Sequence, residues 1–538
     1  MKAENFNQKA GRVTNDTNLY IVGAGIAGLA AATFAVRDAH IPGKNIHIFE
    51  VLDSTGGSLY GTPDAPDKFY FTRGDWKMGA KTHNSLWDAF SEIPSPDDPK
   101  KSVTEEIFEY NKIHKKDAKS RLIHAHQRRD NVESMGMSWP DKIRLLVLIY
   151  IPEKKIENRR IDSWFAPSFF KTNFWKMFNS MFAIEHWNDL VEMKRYVCRF
   201  FHDLHKMVSG RGETVTPYNN YDSMTVPMTQ WLKDKGVKFE MECKVTDLDF
   251  KPIQSELTVE RLYYTSKGEN NKIDIRDCDF VFVTNGSMIA DSRRGSMTEA
   301  PVLETGKLDG SWTLWENIAK KRSGLGNPSN FCERIQDSAW VIMVVNSKDP
   351  LFFNLYEKFT GNKPGQTNMV TFTDSNWHAS VLVPNHPHFR TQPQDVYLWG
   401  ACGLTPYEKG NFVNKKMIEC NGEELLTEYC YHFGFVKEMP QIIKNSICVP
   451  LTGPYYMAHF MPRKRSDRPP VVPEGSTNLA LMGQFVECEE CILLIETSAR
   501  SAQIAVYSLL NVDKKVRPVY TEIYNPISWL KNLPTVFS

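Results

Sequence analysis

A chain of 538 residues is too long for one simple core, so two or three domains are expected. Lys and Arg total 65 against 64 Asp and Glu, a net charge of +1, so no global field draws the chain to nucleic acid. The composition, 41% hydrophobic and 24% charged, is that of an ordinary soluble globular protein. The N-terminus, Met1-Lys-Ala-Glu-Asn-Phe-Asn, carries no apolar h-region of a secretory signal. The run Leu145 to Ile151 is far too short to span a bilayer. Ten cysteines are scattered, and only Cys488-x-x-Cys491 has motif spacing; a lone CxxC is poor evidence for zinc, so two buried or unpaired thiols are expected and no metal. These features point to an intracellular, cytoplasmic protein in a reduced compartment.

In chain order, Leu19-Tyr-Ile-Val reads as a short apolar strand, followed by Gly23-x-Gly25-x-x-Gly28 and a small-residue helix, Leu29 to Ala35. A second strand, Ile46-His-Ile-Phe49, ends in Glu50. This is the order of a dinucleotide-binding βαβ unit. Gly23 allows the tight turn, Gly25 lets a pyrophosphate approach the backbone, and Gly28 lets helix and strand pack closely. The first-turn N–H groups, at Ile26 and Ala27, face the phosphates. Glu50 is placed to take both ribose hydroxyls and would repel the 2′-phosphate of NADP. A second glycine turn, Gly56-Gly57-Ser58, favours FAD, for it would help wrap an extended cofactor; a plain surface turn is the other reading.

Residues 96–130 are polar and charged and read as an excursion. Residues 140–210 carry aromatics at helical spacing, among them Trp164, Phe165, Phe169, Phe170, Phe174, Trp175, Phe178, Phe182 and Trp187. They read either as a helical core or as the wall of an apolar substrate tunnel. Strands are expected over 237–283, the last, Asp279 to Thr284, leading to Asn285-Gly286-Ser287. A second β-rich block covers 339–400. Asn478 to Gln484 reads as a strand and turn before a helix, Thr497 to Leu510, whose N-terminus with Thr497 and Ser498 would lie near a flavin. The expected fold is α/β: a discontinuous Rossmann-like FAD-binding domain (1–95, parts of 216–290, and 451–512), a largely helical cap (96–215), a β-rich substrate domain (291–450) and a C-terminal segment (513–538).

Many separate segments carry a family resemblance: Thr216-Pro-Tyr-Asn-Asn-Tyr-Asp-Ser223, Val283-Thr-Asn-Gly-Ser287, Ser311-Trp-Thr-Leu-Trp-Glu-Asn, Thr371-Phe-Thr-Asp-Ser-Asn-Trp377, Pro387-His-Phe, Gly422-Glu-Glu-Leu-Leu, and Phe460-Met-Pro-Arg through Val472-Pro-Glu-Gly-Ser. Over roughly residues 18–512 the chain resembles the oleate hydratases, also called myosin-cross-reactive antigens. The resemblance implies an FAD-containing lyase that adds water across the cis-9 double bond of unsaturated long-chain fatty acids, with no net redox change.

In that family a tyrosine in a Tyr-Asn-x-Tyr segment is the proton donor, which matches Tyr218 and Tyr221 here, Tyr218 first. A glutamate in Arg-Gly-Gly-Arg-Glu, upstream of Leu-Trp-Asp, activates water. This chain reads Arg73-Gly-Asp-Trp-Lys-Met78 before Leu86-Trp87-Asp88, with no glutamate from Arg73 to Asp88. Counting back from Leu86 puts Met78 on the glutamate position and Lys77 on the second arginine. A thioether takes no proton from water, so either backbone and other polar groups hold the water with little help from a base, or Asp75 or His83 substitutes. The cofactor set is then Gly23, Gly25, Ile26, Ala27, Gly28, Glu50, Gly57, Ser58, Arg73, Lys77, Gly286, Gln484, Thr497 and Ser498. Tyr456 and His459 stand where the family anchors the fatty carboxylate, with the basic run Arg463 to Arg468 as an alternative. The C-terminal aromatics, Tyr524 to Phe537, suit a peripheral membrane contact or a cap on the fold. A monomer or homodimer is expected. Double-bond isomerisation, a redox flavoenzyme of amine-oxidase type, and a fatty-acid-binding flavoprotein without turnover are the competing readings.

Overall fold

A computed structural model of the chain describes residues 13–64, 69–129, 132, 134–253, 255–367, 369–488, 491 and 494–537. The first expected unit forms as read. Strand Leu19–Val22, helix Ile26–Arg37 and strand Ile46–Phe49 follow one another. They belong to a five-stranded, all-parallel sheet in the spatial order Leu479–Met482, Phe280–Thr284, Leu19–Val22, Ile46–Phe49, Lys238–Glu240. Strands from three distant stretches of chain meet here, so the nucleotide-binding fold is discontinuous. Phe280–Thr284 and Leu479–Met482 are almost continuously apolar because both faces of a parallel sheet are covered. Helix Ile26–Arg37 packs closely on helix Leu494–Leu509; Ala30, Ala31 and Ala35 of the first, with Ala499, Ala502 and Ala505 of the second, are fully buried.

A larger eight-stranded sheet forms the second body, in the order Arg293–Arg294, Ser446–Gly453, Trp340–Ser347, Tyr397–Gly403, Ala379–Leu382, Val370–Phe372, Leu122–His124, Gln127–Arg129. It is antiparallel except where Val370–Phe372 runs parallel to Leu122–His124. Residues 122–129 therefore extend this sheet, although on the sequence they fall in a largely helical excursion. Each of these two strands has three residues, too few for a readable periodicity, and the partner that joins them to the sheet, Val370–Phe372, lies some 250 residues away. Behind this sheet Phe352 stacks on Trp399, ring centroids 3.9 Å apart, beneath helices Leu351–Thr360 and Gly422–Phe433.

The third body is helical: Trp139–Tyr150, Asn173–Phe182 and Leu190–Phe200. Ser138 and Asp141 make a reciprocal capping box at the first, and Thr172 and Asp189 cap the other two through side-chain oxygens. Its aromatics form one cluster, Phe165 against Phe169 at 3.9 Å and Phe182 against both Tyr196 and Phe200 at 4.8 and 4.7 Å. No helix among the described residues is long and apolar enough to cross a membrane. The ten cysteines form no disulfide, and burial pushes the Cys491 thiol up to about 12.

Candidate functional site

The site lies where the three bodies meet, around a cavity of about 320 Å³. Trp340, Ile342 and Val344, alternate residues of one strand, give it one wall. Phe178, Phe182 and Phe200 of the cap give another, so the cap aromatics are at once helical core and cavity lining. Met288, Leu494 and Ile495 close it on the nucleotide side. The fourth wall is the segment Arg73 to His83, whose short strand Met78–Gly79 pairs with Glu213–Thr214.

The segment that departs from the family therefore faces the cavity directly. Met78 is 3% exposed, in the wall where a carboxylate would serve. His83 lines the cavity too, but its Nδ1 accepts the Gly79 N–H at 3.0 Å and sits 3.0 Å from Thr82 Oγ1. Its acceptor nitrogen is thus taken, and burial holds the ring neutral, down to about 3. Asp75 is differently placed. Its Oδ2 lies 3.1 Å from His388 Nε2, and its Oδ1 accepts the Asn220 N–H at 3.0 Å. Lys77 lies deep inside with its accessible surface on the cavity, and burial pushes its ammonium down.

The Tyr-Asn-Asn-Tyr segment organises this wall through its asparagines. Asn220 Oδ1 accepts the Trp76 N–H at 2.6 Å, while Asn219 N–H and Nδ2 both donate to the His388 carbonyl, at 2.8 and 3.1 Å. The flanking tyrosines point elsewhere. The Tyr218 ring lies under the Arg390 guanidinium at 4.6 Å. Tyr221 opens a π-helical turn, Tyr221–Thr225, and stands against Tyr60, Thr55 and Gly56 on the nucleotide side, where burial raises its phenol. The residues lining the large cavity include neither tyrosine. Tyr456 does line it, 3% exposed, beside Trp340, with Ser292 Oγ 3.4 Å from its hydroxyl; burial pushes the phenol up to about 12, against the pull of Arg73. His459 lies outside that lining, packed on Phe460 with its carbonyl bonded by Arg468.

The two buried arginines of the basic run are already paired. Arg463 and Arg468 are buried and share Glu192, at 2.7 and 3.0 Å, while Arg195 bridges Glu153 and Glu487 at 2.8 and 2.9 Å. This cluster ties cap helix Leu190–Phe200 to the segment before the last parallel strand. Sequence reading passed over His388 and the 202–213 stretch, which brings His202, Lys206, Arg211 and Glu213 to the cavity. Arg211 and His388 meet their carboxylate partners, Asp117 and Asp75, only across long stretches of chain, and the Pro387-His-Phe segment, quoted above for its resemblance, was the one trace of His388.

The residues present fit a dinucleotide. Gly23 has φ +98°, and a Cβ on Gly28 would sit 1.9 Å from the Gly23 carbonyl oxygen, so the turn admits no side chain. Gly25 and Gly57 face each other with no side chain between, a Cβ on Gly57 falling 3.3 Å from Gly25 Cα. No side chain caps the helix at Gly25, which leaves the first turn at Ile26 and Ala27 to an anion. Glu50 accepts the Ala24 and Leu52 N–H groups at 2.7 and 3.1 Å, one on each oxygen, and each oxygen keeps a lone pair for a hydroxyl. Thr284 Oγ1 and Gln484 Oε1 are buried without a partner beside Gly23 and Gly483. Arg73 donates to the Gly57 carbonyl at 3.3 Å, next to Ser58 in the turn Gly57–Leu59, and Gly286, φ +67°, packs on Trp312 and Phe485. Thr497 and Ser498 stand in the first turns of helix Leu494–Leu509, their hydroxyls turned to Cys491 Sγ and the Leu494 carbonyl.

Comparison with known proteins agrees with this geometry. The MCRA family model matches residues 16–507. An oleate hydratase of Streptococcus pyogenes serotype M49 is 34% identical over 524 residues, covering 95% of this chain and 88% of its own. A linoleate hydratase of Lactiplantibacillus plantarum is 31% identical over 533 residues, covering 91% and 93%. Among solved structures, a putrescine oxidase overlays with a TM-score of 0.51 at 11% identity, covering 92% of this chain and 99% of that one. An oxidoreductase from Methanosarcina mazei gives 0.50 at 12% identity, covering 90% and 99%. Identities this low establish a shared fold and nothing of the chemistry. The chain belongs to the MCRA family.

Proposed function

From that membership we propose that this chain is an FAD-containing hydro-lyase that adds water across the cis-9 double bond of unsaturated long-chain fatty acids, oleate first. The observation that carries the reading is the cavity itself: one apolar chamber, within the usual size range of small-molecule sites, opening between a dinucleotide fold and a wall of aromatic side chains. Its hydratase relatives supply the reaction class.

Protonating an isolated alkene makes a carbocation-like carbon that bulk water or a stray base would divert. Phe178, Phe182, Trp340 and Ile342 exclude bulk water and hold the acyl chain extended. Tyr456, a phenol kept protonated by burial, donates to the carboxylate, with the Arg73 charge nearby. Tyr218 is the phenol that the family resemblance puts forward as proton donor; its ring lies under Arg390 outside the cavity lining, so the role requires it to reach the chamber past the Asn219–Asn220 wall. FAD, when bound on the glycine turns, supplies a planar dipolar surface at the nucleotide side of the chamber and exchanges no net electrons. A lipid-borne substrate also suits the outer surface. Trp139, Ile143, Val147 and Tyr150 are exposed along one face of their helix. The C-terminal helix exposes Ile527, Leu530 and Leu533, and Tyr150 stacked on Trp529 joins the two faces. An apolar face of this kind, with Lys531 exposed beside it, fits a peripheral membrane contact.

The test is anaerobic incubation of FAD-loaded protein with oleate in oxygen-18 water. Labelled hydroxystearate without flavin reduction is the expected product. Unlabelled, unchanged oleate, with linoleate and palmitoleate equally inert, refutes the proposal.

A further inference from the structure

Hydration needs one ordered water inside a chamber built to exclude water, and the family glutamate that would hold it is absent. Beside the large cavity lies a second, much smaller one of about 20 Å³. That is room for a single water molecule, which needs two to four polar partners to be stable there. The pit shares Asp75, Lys77 and His388 with the wall of the large cavity, so whatever fills it borders the acyl chain. Its remaining polar lining includes Asn220, Thr216 and Thr367. Thr367 is 1% exposed and its Oγ1 has no partner among the described residues, although nearly every buried hydroxyl in a folded protein is bonded. An ordered water in the pit removes that deficit.

The pit also contains a base. Asp75 Oδ2 faces His388 Nε2 at 3.1 Å, and the Asn220 N–H pins the other carboxylate oxygen at 3.0 Å. An aspartate accepting the Nε2 proton fixes the tautomer and leaves Nδ1 as the ring's acceptor. The Asn219 bonds to the His388 carbonyl and the Gln392 Oε1 contact to its N–H, 2.6 Å, hold the backbone of this histidine. Of the other positions named from the sequence, neither Met78 nor His83 competes. Met78 has no basic atom, and the acceptor nitrogen of His83 is already bonded.

We propose that the pit holds the water consumed in hydration and that His388, oriented by Asp75, takes its proton. As the phenol donor protonates one alkene carbon, the water oxygen forms the C–O bond at the other. One water O–H bond breaks, the proton passes to His388 Nδ1, and Asp75 stabilises the imidazolium. Return of that proton to the phenolate through solvent closes the cycle, with one water added and no electrons transferred. Asp75 is a positioning residue here; His388 touches the reacting water.

This inference rests on the hydratase reading, and one set of assays separates their failures. In FAD-loaded protein, His388→Gln is expected to lower kcat for oleate hydration by roughly 10²- to 10⁴-fold, with KM, oleate affinity and flavin content changed less than about threefold. Asp75→Asn follows in the same direction. Thr367→Val, which keeps shape and removes the unpartnered hydroxyl, is expected to lower kcat by roughly three- to tenfold without loss of thermal stability, and it stands if His388→Gln fails to fold. Wild type that hydrates oleate while His388→Gln and Thr367→Val keep kcat within threefold overturns the water site and leaves the function intact. Loss of oleate affinity in step with kcat assigns His388 to binding and overturns it as well. Wild type without hydration fails the function itself.

Discussion

Gly25 and Gly28 belong to one motif, yet the structure separates their roles sharply enough to test the cofactor site. A Cβ on Gly28 would stand 1.9 Å from the Gly23 oxygen and 3.1 Å from Ile21 Cγ2. Backbone must retreat by about 1 Å to reach even the shortest real contacts, and such overpacking costs about 1–3 kcal/mol or more. A Cβ on Gly25 would meet only Gly57 Cα, at an ordinary 3.9 Å, and Gly25 has φ −74°, which alanine adopts freely. Gly25→Ala should therefore leave apo stability unchanged or raise it by about 0.4–1 kcal/mol. The same methyl stands where a pyrophosphate approaches the first-turn N–H groups. Loss of one or two charge-assisted hydrogen bonds, about 1.5–3 kcal/mol each, weakens FAD binding by roughly 10- to 100-fold or more. The assays are thermal unfolding of the apoproteins and equilibrium titration with FAD. Gly28→Ala should unfold early; Gly25→Ala should unfold normally and lose flavin. Gly25→Ala that binds FAD like wild type would refute placement of the pyrophosphate at this turn.

Glu192→Gln leaves Arg463 and Arg468 buried without their shared carboxylate, and a loss of about 3–5 kcal/mol in urea unfolding is expected; a change under about 1 kcal/mol contradicts the pairing. Glu496 accepts the Ser85 and Leu86 N–H groups in full burial, which raises its carboxyl from 4.5 to about 7. Because the folded value is the higher, its stabilising contribution is complete below pH 4.5 and is lost as pH rises to about 7. The stability difference between wild type and Glu496→Gln should move toward the variant by ~3 kcal/mol across that window, and a flat difference would show that the carboxyl is not perturbed. Tyr456→Phe should raise KM for oleate about tenfold with kcat nearly kept; an unchanged KM removes it from the carboxylate. Ile143→Asp with Leu530→Asp should abolish sedimentation with vesicles of mixed zwitterionic and anionic lipid while leaving detergent-dispersed oleate turnover intact, and continued sedimentation would locate membrane contact elsewhere.

The sequence alone was enough for the nucleotide half of this protein because its logic is local. Strand, glycine turn, helix and acid lie within 32 residues, from Leu19 to Glu50, and Gly23 and Gly28 answer local backbone constraints, a positive φ and a close approach to the Gly23 carbonyl. The helical character of the cap was legible for the same reason, through aromatic spacing, whereas its caps at Ser138, Thr172 and Asp189 came from the structure. What the tertiary structure alone decided is which side chains meet. Arg463 and Arg468 belong to a basic run that reads as an alternative carboxylate anchor until Glu192, 271 residues from Arg463, is found between them. Tyr218 and Tyr221 flank two asparagines that hold the cavity wall, and only the tertiary structure shows that neither ring lines that cavity, since a turn sends neighbouring side chains in different directions. Asp75 and His388 stand 313 positions apart in the chain and come within 3.1 Å because two loops dock on Asn219 and Asn220. No periodicity or spacing encodes such a contact; only the packing of three bodies around one cavity brings it about.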